Sequence, residues 1–220
     1  MRCLVIAPHP DDELLGCGGT LLRRASEGAQ LAWLSVTGIS EMQGFSTEQV
    51  QRRLFEIEQV HQKIGFHKVY HLNLPTARLD TLSIQDLIKR IALVFQEFEP
   101  EEILVPHYSD VHTDHQIVFN AVSACMKWFR YPSVKRILSY ETISETEFSF
   151  RQGTYFQPNF YVDITNFLDY KLEVLAIYQS EIDSFPFPRS LDALRALATF
   201  RGSTAGCKAA EAFQLLCERT

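Results

Sequence analysis

The chain has 220 residues, 46% of them hydrophobic, and its formal net charge is −6 at pH 7. This length and composition suit one domain with a sizeable core. The acidic balance argues against nucleic-acid binding, which needs a basic surface. No stretch reaches the roughly 18 apolar residues of a membrane span. The chain opens on a strand-like pattern, so we expect no signal peptide. Its five scattered cysteines form no CxxC pair, which favours a reduced, cytoplasmic setting.

Strand and helix patterns alternate over the first 140 residues. Strands are predicted at 2–7, 30–36, 68–72, 102–105 and 134–139. Helices are predicted between them at 16–28, 46–64, 83–98 and 115–129. Ser46 and Thr47 are suitable caps for the second of these helices. This alternation implies right-handed βαβ crossovers and a mostly parallel, Rossmann-like α/β sheet flanked by helices.

The pattern changes after about residue 140. A further strand, antiparallel to the others, is predicted at 156–164, and helices at 166–180, 190–201 and 205–216. No low-complexity linker precedes this region. We therefore expect a single domain over 1–220, with a core of about 1–140 and a C-terminal α/β extension of about 141–220 that covers the site.

The stretch 7–13, Ala-Pro-His-Pro-Asp-Asp-Glu, follows the first predicted strand. It places His9, Asp11 and Asp12 at the carboxyl end of a strand, where open α/β sheets bind their ligands. Each aspartate taken alone is more typical of a helix cap. Two adjacent carboxylates repel each other, however, and a divalent cation compensates them directly. The stretch therefore indicates a metal site.

A second cluster, His-Thr-Asp-His at 112–115, follows the apolar run at 103–106. Each of its histidines alone would also fit a solvated loop. A catalytic zinc site has three protein ligands and an open position for water, and His9, Asp12 and His115 would supply such a set. Asp11 would then be free to act as general base on the bound water.

The remaining members of the second cluster predict further roles. His112 can present a nitrogen to a reacting oxygen. Asp114 can accept a hydrogen bond from an imidazole N–H and fix its tautomer. On the second predicted helix, Arg53 and Glu56 lie one turn apart. That spacing fits an intrahelical ion pair worth about 0.2–0.5 kcal/mol, and equally an arginine directed at a phosphate or a sugar hydroxyl.

Several of these stretches together resemble the LmbE/PIG-L family of N-acetylglucosaminyl deacetylases. They are the run 7–13 followed by Gly-Cys-Gly-Gly, the Arg53/Glu56 helix, the cluster 112–115 and the C-terminal stretch 201–213. The resemblance implies a Rossmann-like fold and one zinc ion per chain. It also implies hydrolysis of the N-acetyl group of a GlcNAc-type sugar conjugate to a free amine and acetate.

The resemblance also assigns roles residue by residue. It implies metal ligands at His9, Asp12 and His115, and a general base at Asp11. His112 would stabilise the tetrahedral intermediate or assist the leaving amine, with Asp114 as its orienting partner. Arg53 would contact the polar aglycone. One departure stands out: where members acting on small GlcNAc conjugates usually carry Asp after Leu-Pro, this chain has Thr76.

The substrate remains open at this stage. The stretches 140–146 and 185–190 resemble a subgroup linked to surface-polysaccharide or nucleotide-sugar synthesis. An alternative is a metal-dependent phosphoesterase acting on a sugar or nucleotide conjugate, although such enzymes often hold two metals. A sugar- or nucleotide-binding protein with a structural metal is less consistent, because structural zinc sites are usually rich in cysteine. The aromatic residues of 148–161 leave room for a homo-oligomer.

Overall fold

The computed structural model describes residues 1–150, 153 and 155–220. Within these residues the strands are β1 (Arg2–Ala7), β2 (Gln30–Gly38), β3 (Lys68–Pro75), β4 (Glu102–Pro106), β5 (Arg136–Tyr140), β6 (Phe160–Asp163) and β7 (Ala210–Glu218). The α-helices are α1 (Asp12–Ser26), α2 (Thr47–Ile64), α3 (Ile84–Phe98), α4 (Thr113–Ser123), α5 (Leu168–Leu175) and α6 (Leu191–Ala205). None of the described helices combines the length and the hydropathy that a bilayer crossing needs.

The seven strands form one sheet in the order β3-β2-β1-β4-β5-β7-β6. Strands β1 to β5 pair in parallel, and β7 runs antiparallel to both β5 and β6. The chain adds β2 and β3 on one side of β1 and then returns to add β4 on the other side. In open α/β sheets, ligands bind outside the carboxyl ends of the strands at such a reversal of strand order.

Both faces of the sheet are covered, so β1 is apolar and buried without alternation from Cys3 to Ala7. Leu4 and Ile6 face the layer that holds α3 and α4, whereas Cys3 and Val5 face the layer that holds α1. All four side chains are fully buried. Because β1 is held between two layers, the loop that leaves its carboxyl end starts from a fixed point.

The five strands predicted for the first 140 residues are confirmed, and so is an antiparallel strand within 156–164. Ser46 caps α2 in a reciprocal arrangement with Gln49. Some helix bounds differ. Helix α1 starts at Asp12 rather than 16, because the positive φ of Asp11, 146°, turns the chain directly into the helix. Helices α4 and α5 are shorter than the predicted 115–129 and 166–180.

The predicted helix at 205–216 is wrong. Helix α6 runs on to Ala205 and ends at Gly206, which has a φ of 78° in the left-handed region. The chain then enters β7, which pairs with β5 and β6. A short apolar stretch such as Ala-Glu-Ala-Phe suits either a buried strand or a helix, and periodicity alone does not separate them. The open edge of β5 decides the outcome by offering it a hydrogen-bonding partner.

A buried ion pair connects β7 to α1. Helix α1 is interrupted at Cys17 (φ −148°, ψ 20°), which exposes new backbone donors at its second half. Glu211 accepts hydrogen bonds from the backbone N–H groups of Gly19 (2.8 Å) and Thr20 (2.6 Å). Lys171 lies 2.7 Å from the same carboxylate and donates to the carbonyl of Leu15. Glu211 therefore caps the second half of α1, and Lys171 balances its charge.

Replacing Glu211 with Gln is expected to destabilise the fold by about 3 kcal/mol, since it leaves the buried Lys171 ammonium without a carboxylate. Urea unfolding, followed by circular dichroism, measures this loss. The matched control is Glu218→Gln on the same strand, where an exposed pair with Arg136 is expected to contribute less than about 1 kcal/mol. Equal effects of the two substitutions would contradict the stabilising role of the buried pair between Glu211 and Lys171.

Candidate active site

The two polar clusters of the sequence meet at the carboxyl ends of β1 and β4, which are neighbours in the sheet. The loop after β1 carries His9, and Asp12 begins α1. The loop after β4 leads into α4, which carries His115 in its first turn. Residues about 100 positions apart in sequence therefore share one pocket.

His9, Asp12 and His115 converge on a common point. Oδ2 of Asp12 lies 3.3 Å from Nδ1 of His9 and 3.3 Å from Nε2 of His115. One ligand atom from each residue lies within 4.8 Å of the other two. Asp12 and His115 are buried, and the His9 side chain is 19% exposed toward the cavity.

The donor set fits zinc. Two ligands of a tetrahedral zinc ion, each roughly 2.0–2.1 Å from the metal, lie roughly 3.3 Å apart. The two distances from Asp12 match that spacing. Two imidazoles and one carboxylate also form the ligand set of hydrolytic zinc sites, which keep a fourth position for water. His9, Asp12 and His115 could therefore hold this ion.

His9 and His115 each contact a buried carboxylate through the ring nitrogen that is not directed at Asp12. Nδ1 of His115 lies 2.8 Å from Oδ2 of Asp110, and Nε2 of His9 lies 3.1 Å from Oδ2 of Asp114. Both carboxylates are fully buried. Such carboxylate–histidine pairs fix the tautomer, so that the lone pair of the opposite nitrogen faces the metal. Burial lowers the pKa of His9, but its bonds to Asp114 and Asp12 raise it overall to about 9.

A second group of donors, His9, His112 and Asp114, also lies within 4.8 Å. It is a poorer metal site, because its donors already have other partners. Asp114 accepts hydrogen bonds from the backbone N–H groups of Ala77 (2.7 Å) and Leu79 (3.2 Å) as well as its bond with His9. Nδ1 of His112 accepts from the backbone N–H of Asp114. We therefore favour the group that contains Asp12 and His115.

The expected partnership of Asp114 with His112 has a different form in the structure. The Asp114 carboxylate binds His9, and only its backbone N–H reaches His112, at 3.1 Å. His112 is thereby the cap of α4. Because Nδ1 of His112 is an acceptor, its Nε2 carries the proton in the neutral ring. Burial and the charges of His9 and His115 lower the pKa of His112 to about 4, so the ring is neutral near pH 7.

Asp11 lies beside this group without capping the helix that follows it. Its side chain forms no cap hydrogen bond. It is buried, and it lines the cavity. Burial raises the pKa of Asp11 to about 8, together with the negative charges of Asp12 and Glu181. A carboxyl group that binds a proton this readily, at the wall of a cavity, is suited to accept and return one.

Hydrogen bonds hold the backbone on both sides of Asp11, whose φ is positive. Its N–H donates to Oε2 of Glu13 at 3.0 Å, and Tyr178 donates to the other oxygen of Glu13 at 2.9 Å. The carbonyl of Pro10 accepts from Arg53 at 2.8 Å. A non-glycine residue with positive φ costs about 1–3 kcal/mol unless its surroundings enforce it. The hydrogen bonds of Glu13, Tyr178 and Arg53 hold the backbone of Asp11 in this conformation.

Arg53 lines the cavity, but each of its three guanidinium nitrogens already contacts a partner within the described residues. Besides Pro10, they contact Ser180 (3.0 Å) and the Glu181 carboxylate, and Nε lies 3.3 Å from Glu56. The contact to the aglycone that the resemblance implies for Arg53 would compete with these bonds.

The cavity next to the cluster has a volume of about 400 Å³. Its walls come from the loop after β2, from α2 and from the C-terminal extension. The extension contributes Thr142, Ser144, Glu145, Ser180, Glu181 and Arg189. Arg189 donates to the backbone carbonyl of Glu181 at 2.9 Å. The extension thus forms one side of the site.

Sequence reasoning missed several of these residues. Asp110 could have been found, because it lies two positions before His112 in the polar loop that follows the apolar run 103–106. Glu13 was part of the motif, but nothing in the pattern showed that it binds Asp11. Glu181 has no sequence signal of its own, and Arg189 lies in the stretch 185–190 without any sign that it lines a cavity, since both reach the cavity only through the packing of the extension against α2.

Replacing Asp110 with Ala is expected to lower zinc affinity by about 10- to 100-fold, because His115 loses the carboxylate that orients it. Competition with a fluorescent zinc chelator measures this affinity. Asp86→Ala, an exposed change on α3, serves as the control. An unchanged zinc affinity in the Asp110 variant would contradict the orienting role.

Known proteins share sequence and fold with this chain. The family model described as PIG-L: GlcNAc-PI de-N-acetylase matches residues 4–126. The chain is 25% identical to the diacetylchitobiose deacetylase of Thermococcus kodakarensis, over 98% of this chain and 83% of the relative. It is 22% identical to a probable N-acetyl-α-D-glucosaminyl L-malate deacetylase 2 of Bacillus cereus, over 82% of this chain and 84% of the relative.

A solved structure shows the same architecture. A conserved protein from Thermus thermophilus is 26% identical, with a TM-score of 0.80, over 99% of this chain and 96% of that one. Together, the fold and the site define a class: an α/β protein with a candidate mononuclear metal site at the switch point of its sheet. Since the family model covers more than half of the sequence, the chain belongs to the PIG-L family of de-N-acetylases.

Proposed function

We propose that this protein is a zinc-dependent hydrolase that removes the N-acetyl group from a GlcNAc-type sugar conjugate and releases a free amine and acetate. The observation that carries the proposal is the convergence of His9, Asp12 and His115, with Asp11 beside them at the cavity wall. Membership of a de-N-acetylase family supports the same chemistry.

When bound, zinc would polarise the acetyl carbonyl, lower the pKa of a coordinated water toward about 7 and favour the ionised form of Asp11. Asp11 accepts a proton from the attacking water as the new C–O bond forms. Its buried position keeps that proton away from bulk solvent. Asp11 then returns the proton to the amide nitrogen while the C–N bond breaks.

His112 stabilises the negative charge that develops on the carbonyl oxygen. Its neutral ring donates from Nε2, because Nδ1 is occupied by the backbone N–H of Asp114. Asp11 already holds the proton taken from the attacking water, and we propose that it, rather than His112, protonates the leaving amine.

The test uses zinc-loaded protein and three conjugates: diacetylchitobiose, GlcNAc 1-phosphate and a nucleotide-linked GlcNAc. We expect amine and acetate to appear in equal amounts from at least one of them, and only when Asp11 is intact. Inorganic phosphate is measured in the same samples. Phosphate release without acetate would overturn deacetylation in favour of the phosphoesterase alternative.

We further propose that residues 1–220 fold as one domain that works in the cytoplasm. Strands β6 and β7 of the extension continue the sheet of the core, which supports a single domain.

All five cysteines are unpaired, which supports a reducing compartment. The exposed side chains of Phe148, Phe150 and Tyr155 support self-association, which analytical ultracentrifugation tests directly.

A further inference from the structure

Asp110, the carboxylate that contacts His115, has a different partner on each of its two oxygens. Oδ2 lies 2.8 Å from Nδ1 of His115, and Oδ1 accepts a hydrogen bond from the hydroxyl of Thr146 at 2.7 Å. Asp110 is fully buried. Because a buried carboxylate oxygen without a donor is costly, the two hydrogen bonds together fix the orientation of the group. The orientation of Asp110 therefore depends on a residue of the C-terminal extension.

The direction of each hydrogen bond in this chain is determined at its outer end. The oxygen of the Thr146 hydroxyl accepts from the backbone N–H of Thr142 at 2.8 Å. A backbone N–H can only donate, and an ionised carboxylate can only accept. The single hydroxyl proton of Thr146 is therefore directed at Asp110. Asp110 in turn accepts from Nδ1–H of His115, which leaves the lone pair of Nε2 for the metal.

A second polar group near Oδ1 of Asp110 does not replace Thr146. Nδ1 of His107 lies 3.9 Å from Oδ1, beyond hydrogen-bond distance. Nε2 of His107 lies 2.8 Å from Oε1 of Gln214, which only accepts, so the proton of the neutral ring is on Nε2. Nδ1 is then an acceptor, and it contacts the Ser109 hydroxyl at 2.8 Å. Within the part of the chain that the structure describes, Thr146 is the one hydrogen-bond donor to Oδ1.

The two carboxylate–histidine pairs of the site differ in what orients the carboxylate. Asp114, which contacts His9, accepts from the backbone N–H groups of Ala77 and Leu79. Backbone donors remain when a side chain is replaced. Asp110 depends instead on a side-chain hydroxyl, which a single substitution removes.

The turn 142–146 holds Thr146 in this place. The backbone N–H groups of Glu145 and Thr146 both donate to the carbonyl of Thr142, at 3.1 and 2.9 Å. The N–H of Val111 donates to the carbonyl of Glu145 at 3.1 Å, which joins the turn to the loop after β4. The same turn contributes side chains to the cavity wall. One element of the extension therefore both lines the cavity and contacts the metal site.

We propose that Thr146 is a positioning residue of the metal site: its hydroxyl orients Asp110, and Asp110 fixes the tautomer and the orientation of His115. The extension is then required for tight zinc binding in addition to covering the cavity. This inference rests on the zinc site of the proposed function and adds to it a residue of the extension.

The test is the zinc affinity of Thr146→Val, measured by competition with a fluorescent zinc chelator. Valine keeps the shape of threonine but has no hydroxyl, so Oδ1 of Asp110 loses its donor. We expect zinc binding to weaken by about 5- to 10-fold, the effect of one lost hydrogen bond. Thr146→Ser retains the hydroxyl, and its zinc affinity should lie within about 2-fold of that of the natural chain.

A double-mutant cycle shows whether Thr146 acts through Asp110. In the Asp110→Ala background, Thr146→Val should change zinc affinity by less than about 2-fold, because the carboxylate that connects Thr146 to His115 is gone. A general loosening of the extension would weaken zinc binding by the same factor in both backgrounds.

Proton NMR of the zinc-loaded protein gives a second measurement. The Nδ1–H proton of His115 is hydrogen-bonded to Asp110, so we expect a low-field signal from it in the natural chain. The signal should move upfield or disappear through exchange in Thr146→Val, and Thr146→Ser should restore it.

The matched control is Thr165→Val, on the extension but outside the cavity. The hydroxyl of Thr165 also accepts from a backbone N–H, that of Ala209 at 3.3 Å. This variant is expected to lower the melting temperature without changing zinc affinity. Melting temperatures of the metal-free variants verify that each is folded.

Unchanged zinc affinity in Thr146→Val would overturn the positioning role, and so would equal losses with and without Asp110. If the natural chain also released amine, deacetylation would stand. A zinc affinity that depends on Thr146 in a protein that releases no amine would support the positioning role and contradict deacetylation. A natural chain that binds no zinc would overturn both proposals.

Discussion

Replacing Asp11 with Asn is expected to lower kcat/KM for the N-acetylated conjugate by about 10²- to 10⁴-fold, because the side-chain amide of Asn cannot accept the proton of the attacking water. Zinc content should stay at one ion per chain, since His9, Asp12 and His115 are intact. Metal analysis and amine release are measured on the same preparation. Asp80→Asn, an exposed change, is the control for the chemistry of the substitution. Near wild-type turnover in the Asp11 variant would remove Asp11 from the mechanism.

The same variant has an expected effect on stability in the metal-free protein. Between about pH 4 and about pH 8 the folded state retains the Asp11 proton that the unfolded state releases. The contribution of Asp11 to the free energy of unfolding therefore falls as pH rises through this window. Asn has no such proton. Relative to the natural chain, the Asp11 variant should therefore become more stable as the pH rises from 5 to 8. The free energies of unfolding of both proteins, measured in urea at pH 5 and at pH 8, test this direction.

Replacing His115 with Ala is expected to abolish zinc binding, with a loss of affinity greater than about 100-fold, because a direct ligand contributes more than the group that orients it. Activity should fall with metal content. Inductively coupled plasma mass spectrometry of the dialysed protein measures the stoichiometry. His67→Ala, an exposed histidine before β3, should retain one zinc ion. Full zinc occupancy in the His115 variant would contradict the proposed ligand set.

The distinction between these two variants is informative. Asp11 lies beside the convergent group and is not one of its members, whereas His115 supplies one of the three ligand atoms. Asp11→Asn should therefore separate catalysis from metal binding, and His115→Ala should remove both. If both variants lost zinc, Asp11 would be a ligand rather than the general base.

The extension illustrates where sequence patterns stop being sufficient. The stretch Ala-Glu-Ala-Phe was predicted as a helix, and its place between β5 and β6 makes it a strand. Helical and strand periodicities differ little over so few apolar residues. In the same way, the sequence shows Glu211 only as an acidic residue in an apolar stretch. Its role as a cap depends on the kink at Cys17, which exposes the backbone donors that Glu211 accepts from.

The sequence by itself determined the alternation of strands and helices over the first 140 residues. It also placed His9, Asp11 and Asp12 at the end of one strand and His115 beyond another. These features are local: apolar periodicity selects the element, and proline or a polar run ends it.

Only the tertiary structure decided which side chains meet. The pairing of β1 with β4 brings His9 to Asp114, and the packing of the extension brings Glu181 to Arg53. The helix spacing left open whether Arg53 pairs with Glu56 or points at a ligand, and the packing adds Glu181 as a second carboxylate partner of Arg53. Such contacts depend on strand order and on the competition among partners for each donor, and neither is encoded in the spacing of residues along one segment.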